Sequence, residues 1–146
     1  MQVPPLSEEE QKKLLSQAIV AEFATSSPDG NIRMTPIWFE AQDDGTILMN
    51  TWENTVLVKN IKGNPKCSLM IDQAESFPYW GLHFEGTATV EGPENDADGI
   101  ARMFTPYRDN DPAAAKEYAE TLIGWGKRVY VRFKPTKSHS WDFRQG

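Results

Sequence analysis

The chain has 146 residues, a length that suits one domain spanning 1–146, with 39% hydrophobic and 25% charged residues as in an ordinary globular protein. A net charge of −6 excludes the broad basic face that general nucleic-acid binding needs, while leaving room for a locally basic pocket. No run of about 18 apolar residues occurs, so no membrane span is expected. The opening MQVPPLSEEE lacks the basic-then-apolar order of a signal segment, and the single Cys67 permits no internal disulfide, which together suit a cytoplasmic protein.

In chain order, Ser7 and Glu10 form a capping box that opens a helix, with Leu14, Leu15 and Ala18 as its apolar stripe. A strand over 19–25 follows, then the turn Ser27-Pro28-Asp29-Gly30 and a strand over 32–41. Asp43-Asp44-Gly45 turns the chain into a third strand over 46–51, and these three form an antiparallel meander. Residues 54–63 read as a short helix capped by Asn54, with Val56, Leu57 and Ile61 facing the core and Gly63-Asn64-Pro65 ending it. Strands over 66–72 and 80–91, helices over 97–104 and 112–125, and a last strand over 129–133 closed by Pro135 complete the pattern. The expectation is a mainly β protein. A helix between strands three and four fits a six-stranded antiparallel split β-barrel with peripheral helices, rather than a Greek-key sandwich.

Few residues announce chemistry. His83 and His139 are far apart in sequence and Cys67 has no CxxC partner, so no metal site is expected. Cys67, inside a strand, reads as a small buried hydrophobe. No GxSxG or P-loop pattern is present. Two cations stand out: Arg33 on the second strand, and Lys59 on a helix whose free N–H groups would face an anion. Trp38 and Trp52 fit a core, and five tryptophans in so short a chain suggest that some line a pocket or an interface.

The ordered set RMTPIWF, ILMNT, KNIKGNPKCSL, HFEGTATV and FKP with a tryptophan six residues on resembles the flavin-binding split-barrel family of pyridoxamine 5'-phosphate oxidase and its relatives, over roughly 14–142. The resemblance implies that Arg33, Met34, Thr35, Pro36, Ile37 and Trp38, with Asn50 and Thr51, line the flavin. It also implies that the following helix meets the phosphate, here through Lys59, and that Trp141 sits beside the ring from a second copy of the chain. Trp141 and Phe143 then belong to a terminal segment, beyond the last strand, that docks. Three departures mark a divergent relative rather than the vitamin-B6 oxidase. The paired Arg-Lys that opens the family's helix falls on Val56 and Leu57, its flavin-contacting Gln falls on Gly81, and the Arg-Leu-His-Asp-Arg substrate motif is absent. The implied function is a small oxidoreductase that acts on a small-molecule substrate, binds FMN and works as a homodimer. No catalytic acid or base is identifiable, and the cofactor supplies the chemistry. A reductase using the deazaflavin coenzyme F-420, with Lys59, Lys62 and Lys66 along an exit path, is the alternative; a flavin or haem carrier without turnover is the third.

Overall fold

The computed structural model describes residues 3–144, so the first two and last two residues of the expected 1–146 domain lie outside the described residues. The elements are α1 (Glu8–Leu15), β1 (Ala21–Ser26), β2 (Ile32–Ile37), β3 (Phe39–Ala41), β4 (Ile47–Trp52), α2 (Val56–Gly63), β5 (Lys66–Gln73), β6 (Trp80–Glu91), α3 (Ala97–Phe104), a 3-10 turn Thr105–Tyr107, α4 (Pro112–Gly124) and β7 (Arg128–Asp142). All pairings are antiparallel, and the seven strands form one sheet in the order β2-β1-β5-β6-β7-β4-β3.

The seventh strand arises from a break in the expected strand over 32–41. Its first half pairs with β1 and its second half with β4, at opposite edges of the sheet. One residue, Trp38, joins them, so the sheet curls until its two edges meet at that point. The expected continuous meander is therefore broken into the β1–β2 and β3–β4 pairs, and the expected split barrel has seven strands rather than six, with a seam that the chain itself crosses. Tyr107 fastens the seam: its hydroxyl donates to the Ile19 carbonyl (2.8 Å) and accepts from the Phe39 N–H (3.1 Å), and its ring stacks on Trp38 at 4.6 Å.

The last strand also runs well past its expected end. Pro135 does not stop β7, because it sits where the β6–β7 register shifts opposite Gly86 and no ladder N–H is required. Gly86 is glycine there because a Cβ would collide with the Lys134 carbonyl. Trp141 thus lies within a strand, paired with Gly81, rather than in a segment beyond it.

Two cores result. Phe23, Leu69, Leu82 and Phe133 fill the barrel, with Phe23 and Phe133 edge-to-face at 6.0 Å, and α1 and α2 add Leu14, Leu57, Val58 and Ile61. The outer face of β4 and β7 carries Leu48 and Tyr130, and α3 and α4 cover it with Ile100, Phe104, Ala119 and Leu122. β4 is buried on both faces from Ile47 to Asn50 for this reason. β2, in contrast, leaves Ile32 66% and Met34 56% exposed.

Candidate cofactor-binding hollow

The seam leaves a gap. β3 accompanies β4 only as far as the Phe39–Met49 pair; from there β2 turns away to join β1, and Asn50, Thr51 and Trp52 keep β7 as their one strand partner. A hollow of about 330 Å³ lies there, closed by Phe104, Tyr118 and Leu122 of the helical layer. Six of the expected site residues line it: Thr35, Pro36, Ile37, Trp38, Asn50 and Thr51. Pro36 suits an edge strand, where a missing N–H costs no ladder bond. Trp38 is held by Phe104 edge-to-face at 5.1 Å as well as by Tyr107, so it serves packing and pocket alike.

The polar groups of the hollow differ in how they are satisfied. Asn50 is buried, donates to the Val129 carbonyl at 3.0 Å and accepts from Arg128 Nε at 2.7 Å; its amide is used within the protein. Thr35 Oγ1 is the opposite case. Among the described residues it is the one buried side-chain oxygen or nitrogen with no hydrogen-bond partner.

Arg128, which sequence reasoning placed outside the last strand, is the strongest electrostatic feature of the hollow. It is 3% exposed, and its guanidinium lies 4.5 Å from the centre of the Trp52 ring, directly across the β4–β7 pair. The Trp52 indole is fixed in turn by donating to the Leu122 carbonyl at 2.9 Å. Among the described residues no carboxylate pairs with Arg128. Burial pushes its pKa down to about 10, with Tyr118 acting weakly the other way. Period-two alternation back from Tyr130 was the available signal, since it puts residue 128 on the same outward face as Tyr130.

The remaining expected residues lie elsewhere. Arg33 and Met34 are on the exposed part of β2. Lys59 borders a separate groove of about 510 Å³ at the start of α2, with Asn54, Thr55, Val56 and Lys62. Thr55, and not Asn54, caps that helix, its Oγ1 accepting from the Val58 N–H at 3.4 Å. Lys62 lies one turn on and lines the same groove, whereas Lys66 borders a different surface near Cys67. Trp52 lines the hollow and Glu53 the groove, so the two are consecutive at the end of β4. Trp141 is thirteen residues along β7 from Arg128, roughly 40 Å of strand. Its ring covers Gly81, where a Cβ would fall 2.5 Å from the indole. His83 and His139, distant in sequence, are directly opposed across β6 and β7. No group of three His, Cys, Asp or Glu side chains that could hold a metal occurs among the described residues, and no described helix is long and apolar enough to cross a membrane.

The sequence pattern of the Pyridoxamine 5'-phosphate oxidase family matches residues 7–142. The chain belongs to that family. A comparison with curated proteins returned no match. Among solved structures, a conserved hypothetical protein of Mycobacterium tuberculosis is 24% identical with a TM-score of 0.79, covering 97% of this chain and 88% of the other. An F420 reductase is 22% identical, TM-score 0.68, covering 88% and 94%. An FAD-binding protein of Mesorhizobium loti is 17% identical, TM-score 0.66, covering 97% of each. These likenesses establish the split-barrel fold, and the pyridoxamine 5'-phosphate oxidase-like chain shares it from α1 through β7.

Proposed function

We propose that the chain is a small oxidoreductase that binds FMN in the hollow between Thr35–Trp38 and Asn50–Trp52, as a homodimer. The observation that carries this reading is the gap in strand pairing at the seam, which holds an orphaned buried hydroxyl, Thr35 Oγ1, beside aromatic walls. A planar, many-acceptor heterocycle fits a slot of that kind: Thr35 and Thr51 offer hydroxyls, and Trp38 and Trp52 offer flat apolar surface. The adjoining groove, with Lys59, Lys62 and an α2 first turn free of acidic residues, suits the phosphate. Bound FMN would supply the electron transfer. The residues lining the hollow include no carboxylate, imidazole or thiol, so their work is to bind, orient and exclude water rather than to move protons.

The dimer follows from exposed apolar surface. Ile32 and Met34 on β2 are uncovered, as are Val20 at the rim of the hollow and Val56 at the rim of the groove. A second copy laid on β2 would bury them and wall both sites, and it is the one way Trp141 could reach a ring held in the hollow. The single buried thiol Cys67, held up to about 12 by burial, suits a reducing cytoplasm. The groove's open, lysine-bearing mouth also suits the longer anionic tail of a deazaflavin coenzyme, the second reading.

Titration with FMN and with the deazaflavin coenzyme, read by absorbance and fluorescence, tests the proposal. Lys59→Ala and Arg33→Ala are each expected to weaken FMN binding by about 10- to 150-fold, the equivalent of losing a charge-assisted phosphate contact. Lys62→Ala is expected to act in the same direction, since it shares the groove. Unchanged affinity in Arg33→Ala and Lys59→Ala alike, or sedimentation as a monomer with FMN bound, overturns the corresponding part.

A further inference from the structure

We propose that Arg128, with the Thr35 hydroxyl, forms an oxyanion subsite inside the hollow that takes a carboxylate or phosphoryl group. This subsite stands apart from the lysine groove at α2 and does not depend on which cofactor the protein uses.

Arg128 is a fork with one tine engaged. Nε donates to Asn50 Oδ1 at 2.7 Å, and among the described residues nothing accepts a hydrogen bond from Nη1 or Nη2. Those two nitrogens form the edge of guanidinium that meets a carboxylate or phosphate with paired donors. The side chain is also fixed before any ligand arrives. Asn50 is tied to the Val129 carbonyl, the Trp52 ring lies against the guanidinium, and the Trp52 indole N–H is tied to Leu122. The Arg128 N–H donates to Asn95 Oδ1 at 3.1 Å, which fixes the backbone from the other side. A donor held in this way loses little freedom on binding.

Energetics point the same way. Arg128 is a buried residue whose charge no carboxylate compensates, and burial accordingly lowers its pKa; its unpaired Nη atoms are not among the fully buried atoms, so they keep an opening to the hollow they line. Buried charges are normally paired, and even the half-buried Arg132, on the same face of β7, is matched by Glu91 at 2.6 Å. Thr35, whose buried hydroxyl has no partner, lines the same hollow. One oxyanion would satisfy both. The walls around it are aromatic and apolar, through Phe104, Tyr118 and Leu122, so the rest of the ligand that carries the anion is expected to be apolar or aromatic.

The test uses the full chain without added cofactor and sulfate as probe, against chloride at matched ionic strength. Tryptophan emission reports the site because Trp52 touches the guanidinium. Saturable quenching or enhancement by sulfate is expected, with a rise in melting temperature that follows the same saturation. Arg128→Met is expected to weaken sulfate binding about tenfold or more, and Thr35→Val to weaken it by a smaller factor. If Arg128→Met does not fold, Arg128→Lys, which keeps the charge and loses the fork, takes its place and is also expected to bind more weakly. An effect of sulfate that does not saturate, or that is equal in wild type, Arg128→Lys and Thr35→Val, overturns the proposal. Repeating the titration on FMN-saturated protein names the source of the anion. Exclusion of sulfate by FMN but not by riboflavin assigns the subsite to the cofactor's phosphate, exclusion by both places it under the ring, and undiminished sulfate binding assigns it to the substrate.

Discussion

Strand β7 carries an arginine near each end, and their surroundings differ. Arg128, its first residue, stacks on Trp52 at 4.5 Å and meets only an amide oxygen. Arg144, two residues past its last, stacks on Trp80 at 3.8 Å and meets Asp142 through both Nε (2.8 Å) and Nη2 (2.9 Å), with Glu10 at 3.2 Å. The same pair of residue types thus makes a closed, neutralised knot at one end and an open, uncompensated cation at the other. Burial does not explain the contrast, since the more buried arginine is the one without acids. The difference separates an arginine that holds the fold together from one that has donors to spare.

The largest expected effect is at the knot. Asp142→Ala removes a 1%-exposed carboxylate that accepts from the Arg144 side chain and backbone, and it should cost about 2–3 kcal/mol. For a chain of this size that is a fall of about 4–12 °C in melting temperature by calorimetry, with sulfate affinity untouched. A melt unchanged by Asp142→Ala would break the contrast. Next in size is Gly81→Val, which drives a side chain into the Trp141 ring and the Asp72 Cβ (2.8 Å) at the packed end. It should cost about 1–3 kcal/mol, and the double variant with Trp141→Ala should recover part of the loss, as a double-mutant cycle would measure.

At the open end the sign reverses. Thr35→Val deletes a buried hydroxyl with no partner, so it should leave denaturant stability equal or raise it by up to about 1 kcal/mol while reducing anion affinity. A clear loss of stability would mean that the hydroxyl has a structural partner. The smallest effect is in pH. The folded pKa of Arg128, about 10, lies below that of an ordinary guanidinium, so between the two the unfolded chain binds more protons and stability rises with pH. Below it the cost of burying the charge is constant. The stability difference between Arg128→Met and wild type should therefore be flat from about pH 6 to 9 and move in favour of wild type above about 10, by denaturant midpoints. Arg144 has its pKa raised, chiefly by its bond to Asp142, so its contribution is already complete throughout this range, and Arg144→Met should show no such drift.

Much of this was legible from residues alone. The helix cap at Ser7, the long strand from Trp80 to Glu91 and the helix from Ala97 to Phe104 follow from local signals and stand where expected, although the Glu10 side chain meets Arg144 rather than completing a capping box. The break at Trp38 was not legible, because residues on both sides are strand-like and only the curl of the whole sheet forces them to opposite edges. Pro135 misled because its stop signal is overridden by a bulge that depends on Gly86, a residue about fifty positions earlier. Six of the ten expected site residues converge because they flank one seam. Arg33, Met34, Lys59 and Trp141 do not join them within one chain, and a pattern transferred from a family cannot distinguish the two cases. Arg128 was missed for a different reason: a charged residue at a strand's edge reads as solvated, and its burial is created by α4, which arrives from another part of the sequence.

The seam has a consequence for motion. β6 and β7 share the longest ladder among the described residues, while β2 has a neighbour on one side only and leaves one face, Ile32, Met34 and Pro36, exposed. In hydrogen-exchange terms the fold has a slow spine and a fast edge. Amides of β6 and β7 should exchange only through near-global opening, and those of β2 through local fraying that costs far less. Since β2 is also one wall of the hollow, whatever enters the hollow must tighten the least protected strand of the protein, and the amides from Ile32 to Ile37 become its internal reporter.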